Sequence, residues 1–377
     1  MYDLKYNNCT KEDFYNISPE VYESGAKVRH IGIEEIDVEK ELIQEEYGLT
    51  DEEADLFLGN GYARARNTIM YFALKNNIDY LLYWDDDEYP MACELNDNKI
   101  KWIKQNNVAT HLRYIKDANI TFGYRCGYNS PVPHIDFSSK AEEKNFANFI
   151  DGVSNEAVNW KNVKENMKNN GISYADSKIL NSNKAIQLYG LGVEEWLLGS
   201  GLCINLKDIE KVPAFYNPAK ARGEDAFFST LLSSAKVLHV PTYHFHDSFL
   251  KYTDIMKNSF PQELGKMELD SNVEKRFLDA CIGWIKYKPL LMYITRRNEY
   301  AEKIIEIKEK LEQSIPKINE MFPNSNFDVL LEELDRYDKE VKNDYREYIR
   351  TNNIWNKIKN KKRSIYEIKQ NKIKILF

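Results

Sequence analysis

The residues with the clearest chemical potential are four consecutive carboxylates, Asp85-Asp86-Asp87-Glu88, which follow an apolar run at residues 80–84. The run has the length of a buried strand. Unpaired carboxylates repel one another and are costly to bury, so a strand that ends in four of them needs a partner. A divalent cation at the carboxyl end of a strand meets that need, and Mg²⁺ or Mn²⁺ bound there usually brings phosphate groups with it. The alternative is an acidic surface turn.

A second candidate set lies late in the chain, where three of the six histidines, His239, His244 and His246, fall within eight residues. In an extended segment His244 and His246 project to the same side. Two imidazoles on one face can ligate a metal ion. The alternative is that both histidines have only a structural role.

The basic residues Arg64 and Arg66 fall in the first turns of a helix predicted over residues 63–75, just after two glycines. Backbone N–H groups at a helix start favour anions, so these arginines are candidates for phosphate binding. A solvated helix face is the alternative. Because this helix leads directly into the acid-tipped strand, the two form an α/β unit whose functional edge is the carboxyl end of the strand.

Two further segments carry candidate residues. Gly199 and Gly201 begin a predicted strand at residues 196–206, where glycine marks either a close approach of backbone or ligand, or a bulge. Glu224 and Asp225 begin an apolar helix. Acidic residues at that position complement the helix dipole even when they do no chemistry.

The remaining pattern predicts the framework. Thr50 and Glu53 fit a helix capping box. We expect an amphipathic helix at residues 99–116, and an Asn- and Lys-rich insertion at 129–185 with helices near 140–149 and 158–169, which covers the substrate. Strands are predicted at residues 27–33, 119–126 and 236–241, and charge-rich helices after residue 250.

Charge and cysteine content narrow the class of protein. The net charge is −7, although residues 351–377 carry seven Lys and one Arg against one Glu. The acidic body argues against nucleic-acid binding, while the basic tail, with its apolar isoleucines, suits an anionic membrane surface. Packing against the helical region and self-association are the alternatives for the tail. Five scattered cysteines with no CxxC pair, no signal pattern and no apolar run of about 20 residues predict a cytoplasmic protein, peripheral at the inner face of the membrane.

Taken in order, these features resemble the glycosyltransferases of the GT-A fold, most closely the family 2 inverting enzymes, over roughly residues 27–248. The segments that carry the resemblance are Ala63-Arg64-Ala65-Arg66-Asn67, Asp85-Asp86-Asp87, Gly199-Ser200-Gly201, Gly223-Glu224-Asp225 and His244-Phe245-His246. The resemblance implies a catalytic α/β domain at residues 1–250, a GT-A mixed open sheet flanked by helices. It places an α-helical region at residues 251–377, ending in the basic amphipathic tail 351–377.

The resemblance also implies an activity: metal-dependent, inverting transfer of a single sugar from a nucleotide-sugar donor to a hydroxyl of a glycan or lipid-linked saccharide acceptor, in cell-surface polysaccharide or glycoconjugate synthesis. It implies Mn²⁺ or Mg²⁺ as cofactor. The metal ligands it implies are Asp85, Asp87, His244 and His246. The donor-binding residues it implies are Arg66, Asp85, Asp86, Gly199, Gly201 and Glu224, with Asp225 as the catalytic base.

The chain departs from the family pattern in two ways. No nucleotide-contacting loop is recognisable before residue 27, and the glutamine- and tryptophan-rich signature of processive synthases is absent, which favours single-sugar transfer. Two rival enzymes are a nucleotidyltransferase, whose glycine-rich basic loop is missing, and a metal-dependent phosphoesterase. A rival of another class is a non-catalytic glycan-binding or scaffold protein, which would tolerate Asp87→Asn and Asp225→Asn.

Overall fold

The computed structural model describes residues 17–374, except 98, 129, 155–158 and 193–194, and side chains as far as Lys362. The chain divides into two compact units. Unit 1 comprises the described parts of Met1–Ile78, Pro213–Tyr216 and Arg346–Phe377, and unit 2 comprises Asp79–Val212 and Asn217–Tyr345. The boundary predicted at residue 250 between a catalytic domain and a helical region stays a prediction.

Unit 1 contains helices α1 (Pro19–Glu23), α2 (Ile33–Tyr47), α3 (Asp51–Phe57) and α4 (Tyr62–Lys75). The predicted capping box of α3 is confirmed, because Thr50 Oγ1 accepts from Glu53 N–H at 3.2 Å and Glu53 Oε2 accepts from Thr50 N–H at 3.1 Å. The helix predicted at residues 63–75 is confirmed as α4. Helices α3 and α4 therefore begin within one residue of the starts that local sequence signals predict.

The strand predicted at residues 27–33 is wrong. Residues 26–30 have no regular structure, Ile31 has only the geometry of a β-bridge, and Ile33 begins α2. Glu35 explains the change, because its Oε2 accepts from Gly32 N–H at 3.0 Å and so satisfies a donor at the start of α2. The burial of His30 and Ile31 comes from packing and not from a sheet.

Unit 2 contains a mixed sheet built from segments that the sequence largely identified. The described strands of unit 2 are β1 (Tyr80–Tyr83), β2 (Glu88–Tyr89), β3 (Met91–Asn96), β4 (Lys99–Lys104), β5 (Ile120–Tyr128), β6 (Ile186–Gln187), β7 (Leu202–Asn205) and β8 (Val237–Asp247). Within the described residues the main sheet has the order β1-β7-β5-β8-β2, and β6 also pairs with β8. Among the described strands of this sheet, β5 and β8 pair in parallel and the other pairs are antiparallel. The prediction of a mixed α/β architecture is therefore confirmed.

The helix predicted at residues 99–116 is wrong in its first half. Residues 99–104 form β4, which pairs with β3 as a separate hairpin, and the helix α5 spans only Asn107–Tyr114. The sequence Lys99-Ile-Lys-Trp-Ile-Lys104 alternates over its first four residues, which suits a strand with one covered face. Trp102 fixes that face, since its Nε1 donates to Pro261 O at 2.7 Å.

The insertion at residues 129–185 contains α6 (Lys140–Val153), α7 (Trp160–Met167) and α8 (Ser177–Leu180). Helix α6 packs against α10 (Ser271–Thr295) and α11 (Tyr300–Met321), which follow the short helix α9 (Glu224–Ser229). The packed rings belong to Phe146, Phe149, Phe277, Phe322 and Phe327. The predicted helices are confirmed, and α6 forms part of the core of the helical C-terminal region.

The long last helix, α12 (Val329–Lys374), includes the described part of the basic tail, residues 351–374. Ile354, Trp355 and Ile358 are fully buried, and the Trp355 ring stacks on Phe57 of unit 1 at 5.8 Å between centroids. Two of the isoleucines predicted to face a membrane, Ile354 and Ile358, therefore belong to a protein core. The ring contact of this segment is with α3, and not with the helical region that the packing alternative named. The other isoleucines predicted for that face lie outside the described side chains. No helix in the described part of the chain is both long enough and apolar enough to cross a bilayer.

Candidate functional site

The acidic segment forms a tight loop between β1 and β2. Trp84 Nε1 donates to the carbonyl oxygen of Glu88 at 2.9 Å, which closes the loop at its base. Asp86 is exposed, Asp85 and Asp87 are half-buried, and Glu88 is buried. The four carboxylates predicted as a cluster are thus graded in depth, so they have different chemical environments.

Strand pairing brings Asp87 to His246. Glu88 lies opposite His246 in the β2–β8 ladder, and Asp87 Oδ2 lies 3.3 Å from His246 Nε2. The two side chains are 28% and 13% exposed, so both reach the surface. Burial alone would raise the pKa of Asp87, but the hydrogen bond and charge of His246, with the charge of Arg125, lower it. Asp87 is therefore a carboxylate at neutral pH.

Beneath this pair lies a buried network centred on Glu88, whose side chain is 1% exposed. Arg125 Nη2 donates to Glu88 Oε1 at 2.9 Å, and the Ser200 hydroxyl donates to Glu88 Oε2. Ser200 Oγ also accepts from Asp85 N–H at 3.1 Å. Burial raises the pKa of Glu88 even though Arg125 opposes it. The network connects β5, the glycine segment and the acidic loop.

His244 lies in this buried layer and not beside Asp87. Its side chain is fully buried, and its Nε2 is 3.5 Å from Glu88 Oε1. Burial, reinforced by the charge of Arg125, sets the pKa of His244 well below its usual value, so the ring is neutral. Of the predicted metal ligands, the structure therefore brings Asp87 and His246 together at the surface and places His244 underneath, against the edge of Trp84.

The glycines that precede β7 allow a close approach. Gly201 has φ of +61°, and a Cβ there would lie 2.7 Å from Cε1 of the His244 ring. Its N–H donates to Tyr83 O at 3.1 Å, so this backbone lies directly beside the end of β1. The close approach predicted for the glycine segment is made to His244, and it positions Ser200 between Asp85 and Glu88.

Glu224 and Asp225 begin α9, as predicted. Glu224 is buried and Asp225 is half-buried, with Asp225 Oδ1 accepting from Ala226 N–H at 2.9 Å. The helix is attached to the glycine segment, because Ser229 Oγ accepts from Leu197 N–H at 3.1 Å. Leu197 lies two residues before Gly199, so α9 is hydrogen-bonded to the same segment that provides Ser200 to the Glu88 network.

Arg66 lies in unit 1, in the first part of α4. Its guanidinium is 5.9 Å from the centre of the Phe215 ring. The next residue, Asn67, holds the backbone of Phe215 by two hydrogen bonds of 2.8 and 2.9 Å. The remaining predicted site residues lie in unit 2.

Sequence reasoning missed Arg125, and it gave no separate role to Ser200 or Glu88. A signal for Arg125 was present, because a cation inside the predicted strand at 119–126 requires a partner if the strand is buried. Its partner is 37 residues away in sequence. The identity of that partner follows only from the pairing of β2 and β5 with β8.

An open cavity of about 350 Å³ is lined in part by Trp84, the residue that precedes Asp85 in the chain. Its apolar wall is formed by Leu82, Trp84, Pro90 and Val108. Aromatic and aliphatic walls of this kind are usual in small-molecule pockets.

Among the described residues, no group of three or more His, Cys, Asp or Glu side chains is arranged to hold a metal. Asp87 and His246 nevertheless offer one oxygen and one nitrogen donor, 3.3 Å apart and reaching the surface. Mg²⁺ and similar ions are commonly held by one or two carboxylates, with substrate phosphates and water completing the shell. The pair fits an ion that is bound together with a phosphate ligand.

Comparisons of the chain with protein-family models, with curated proteins and with solved structures found no match in any of the three.

Proposed function

We propose that this chain is a metal-dependent, inverting glycosyltransferase of the GT-A type. It would move a single sugar from a nucleotide-sugar donor to a hydroxyl of a glycan or lipid-linked saccharide. The observation that carries the proposal is the Asp87–His246 pair, which reaches the surface next to the buried Glu88 carboxylate and its partner Arg125.

The strand register supports a ligand site at this edge. Tyr83 at the end of β1 and Phe122 of β5 both lie opposite Leu202 of β7. The end of β1 is therefore aligned with Phe122 of β5. The acidic loop, which follows β1, extends from there in the direction of Arg125, which lies opposite His244. In open α/β sheets, ligands bind outside the carboxyl ends of the parallel strands. Imidazole and guanidinium groups lie within the last four residues of β8 and β5, and the carboxylates of the acidic loop lie beside them.

Asp87 and His246 would hold Mn²⁺ or Mg²⁺ in this proposal. When bound, such an ion offsets the negative charge that develops on the departing diphosphate. The protein groups prepare for it: Asp87 stays ionised because His246 and Arg125 lower its pKa against the effect of burial. His246 presents a ring nitrogen toward Asp87. Ser200 fixes the start of the loop by accepting from Asp85 N–H.

Asp225 would act as the catalytic base. The acceptor hydroxyl oxygen forms a bond to the anomeric carbon while the bond from that carbon to the diphosphate oxygen breaks, which inverts the configuration. The hydroxyl proton passes to the Asp225 carboxylate. The half-buried position of Asp225 on α9, and the attachment of α9 to Leu197, support this role. The apolar wall at Trp84 would suit the face of a sugar ring.

The test is a thermal-shift screen of nucleotide sugars, with and without Mn²⁺, followed by transfer assays on the ligand that binds. We expect one nucleotide sugar to raise the melting temperature only when Mn²⁺ is present, since ligands of the folded state add stability of about 3 kcal/mol at a hundredfold excess over Kd. Asp87→Asn should lose that shift. Asp225→Asn should keep the shift but lose transfer.

The chain provides a matched control for Asp87→Asn. Asp136 also faces a histidine, with its Oδ1 3.1 Å from His134 Nε2, but it is 77% exposed and lies in a surface segment. Asp136→Asn should therefore bind donor as the unmodified chain does. Hydrolysis of a phosphate ester without sugar transfer would favour the phosphoesterase. Donor binding with normal function in Asp225→Asn would favour the binding protein, and no shift with any nucleotide sugar would refute the proposal.

A further inference from the structure

Arg125 occupies the same face of the sheet as the candidate metal pair. It lies opposite His244 in the β5–β8 ladder, while Glu88 lies opposite His246 in the β2–β8 ladder. Residues two apart in a strand, and residues directly opposite in neighbouring strands, share a face. The register therefore places Arg125, Glu88, His244 and His246 together on one face.

The side chain of Arg125 is more exposed than the carboxylate that it contacts. The Arg125 side chain is 18% exposed, whereas Glu88 is 1% exposed. Its contact with Glu88 uses Nη2, and its buried Nε has no hydrogen-bond partner among the described residues. Since a guanidinium carries five N–H donors, the contact with Glu88 leaves capacity for a second anion.

We propose that Arg125 binds the diphosphate group of the donor, directly beside Asp87 and His246. This inference rests on the proposed function, since it names the group that recognises the leaving part of the donor. A planar guanidinium pairs with phosphate oxygens through parallel N–H···O bonds, which a point charge cannot do. The buried contact with Glu88 fixes the orientation of the fork before the ligand arrives, so little freedom is lost on binding.

The charge of the loop explains why such a cation is needed. Asp85, Asp86 and Asp87 present three carboxylates near the position where a diphosphate would enter. A diphosphate without compensation is repelled there, and one divalent ion offsets only part of the total charge. Arg125 provides a positive charge that is permanently part of the protein, because a guanidinium does not lose its proton in proteins.

The competing explanation is that Arg125 only neutralises buried Glu88. The two roles differ when both partners are removed. Arg125→Met alone leaves a buried carboxylate without its cation, so it destabilises the fold under either explanation. The double variant Arg125→Met/Glu88→Gln removes both charges and keeps similar shapes. If neutralising Glu88 were the only role of Arg125, this variant would bind diphosphate as the unmodified chain does.

The experiment is calorimetric titration of the full-length chain with inorganic diphosphate in the presence of Mn²⁺, after circular dichroism has shown that each variant is folded. We expect the double variant to bind diphosphate roughly tenfold to a hundredfold more weakly, the loss for a charge-assisted hydrogen bond. The control Lys266→Met/Asp136→Asn removes an exposed ion pair and should bind normally. Affinity of the double variant within about twofold of the unmodified chain, in the range expected for neutral surface changes, would overturn the proposal.

A second variant keeps the inference testable if the double variant does not fold. Arg125→Lys keeps a cation for Glu88 but loses the planar fork, so it should fold and yet bind diphosphate more weakly. Equal affinity in Arg125→Lys and the unmodified chain would contradict the inference. The outcome is separate from that of the nucleotide-sugar screen: if no nucleotide sugar binds but diphosphate binding depends on Arg125, then the transferase proposal fails and the phosphate site stands.

Discussion

Two regions of unit 2 contain the same pair of side chains and differ in what supports them. At the strand-end site, Asp87 Oδ2 is 3.3 Å from His246 Nε2. In the insertion, Asp136 Oδ1 is 3.1 Å from His134 Nε2, which is closer. The site pair lies beside the buried Glu88–Arg125 contact, whereas Asp136 is 77% exposed and also accepts from Lys266. Contact distance alone therefore does not distinguish a candidate site from a surface pair.

The pKa values of Asp136 and Asp87 also separate the surface pair from the candidate site. The pKa of Asp136 is lowered by hydrogen bonds from Lys266 and His134 at the surface. The pKa of Asp87 is lowered although burial acts to raise it, because His246 and Arg125 outweigh the burial. The direction is the same and the cause differs. Only the second arrangement maintains an ionised carboxylate where water is partly excluded, which is what a metal or phosphate site needs.

The largest effect that separates these regions should come from glycine substitutions. Gly201 lies in the strand-end site with φ of +61°, and Gly171 lies in the insertion with φ of +81°. An added Cβ at Gly201 would lie 2.7 Å from the buried His244 ring, while nothing lies within 4 Å at Gly171. We expect Gly201→Ala to lower the free energy of unfolding by about 3 kcal/mol, from backbone strain plus overpacking.

The matched variant Gly171→Ala should lose only about 1 kcal/mol, since it has the backbone strain without the clash. Urea unfolding followed by circular dichroism measures both. Similar losses in the two variants would show that the His244 ring moves aside at little cost, and the picture of a rigid buried layer under Asp87 would have to be abandoned.

Much of the candidate site could be predicted because its surface residues lie in or next to strands that are recognisable from the local sequence. Asp87 directly follows a strand-length apolar run, and His246 lies two residues after His244 in an extended segment. The supporting layer could not be predicted in the same way. Ser200 reaches Glu88 across 112 residues and Arg125 reaches it across 37. Such contacts depend on the order of strands in the sheet, which a hydrophobic pattern does not specify.

The fold shows the same division between local and distant causes. Helix α4 and strands β5 and β8 have strong periodic patterns and were found near their predicted positions. Residues 99–104 are predicted as the wrong element because alternation over only four residues is short enough to match one face of a helix. The tail was ambiguous for another reason. An amphipathic face at Ile354 and Ile358 suits a membrane or a protein core equally, and only the packing within unit 1 decides between them.

Acid should destabilise unit 2 through its buried imidazoles, and the effect of each one should be smaller than that of Gly201→Ala. Burial lowers the pKa of His239 to about 4, and its ring stacks between Phe122 and Tyr124. Burial also lowers the pKa of His111 to about 4. A pKa below the unfolded value near 6.5 means that unfolded chains take up the proton first. The stability is therefore complete above pH 6.5 and is lost as pH falls toward 4.

The contribution of His239 can be isolated by replacement. Each of these imidazoles should cost about 2 kcal/mol of unfolding free energy between pH 7 and pH 5. His239→Gln, which keeps a donor for Gly123 O, should reduce the loss over that interval by about the same amount. Urea unfolding at the two pH values measures the difference. An identical pH dependence in His239→Gln would mean that the ring accepts a proton without leaving the sheet.

The smallest effect on stability, and the sharpest test of the comparison, concerns the two histidines at the surface. His246→Gln and His134→Gln each remove the partner of an aspartate that reaches solvent, so each should change the free energy of unfolding by less than about 1 kcal/mol. Binding should separate them. His246→Gln should weaken binding of Mn²⁺ with inorganic diphosphate by about tenfold or more, as loss of a metal ligand requires, while His134→Gln should leave it unchanged. If both variants bound alike, the Glu88–Arg125 contact would not distinguish the two Asp–His pairs, and the choice of Asp87 over Asp136 for the proposed metal site would have no physical basis.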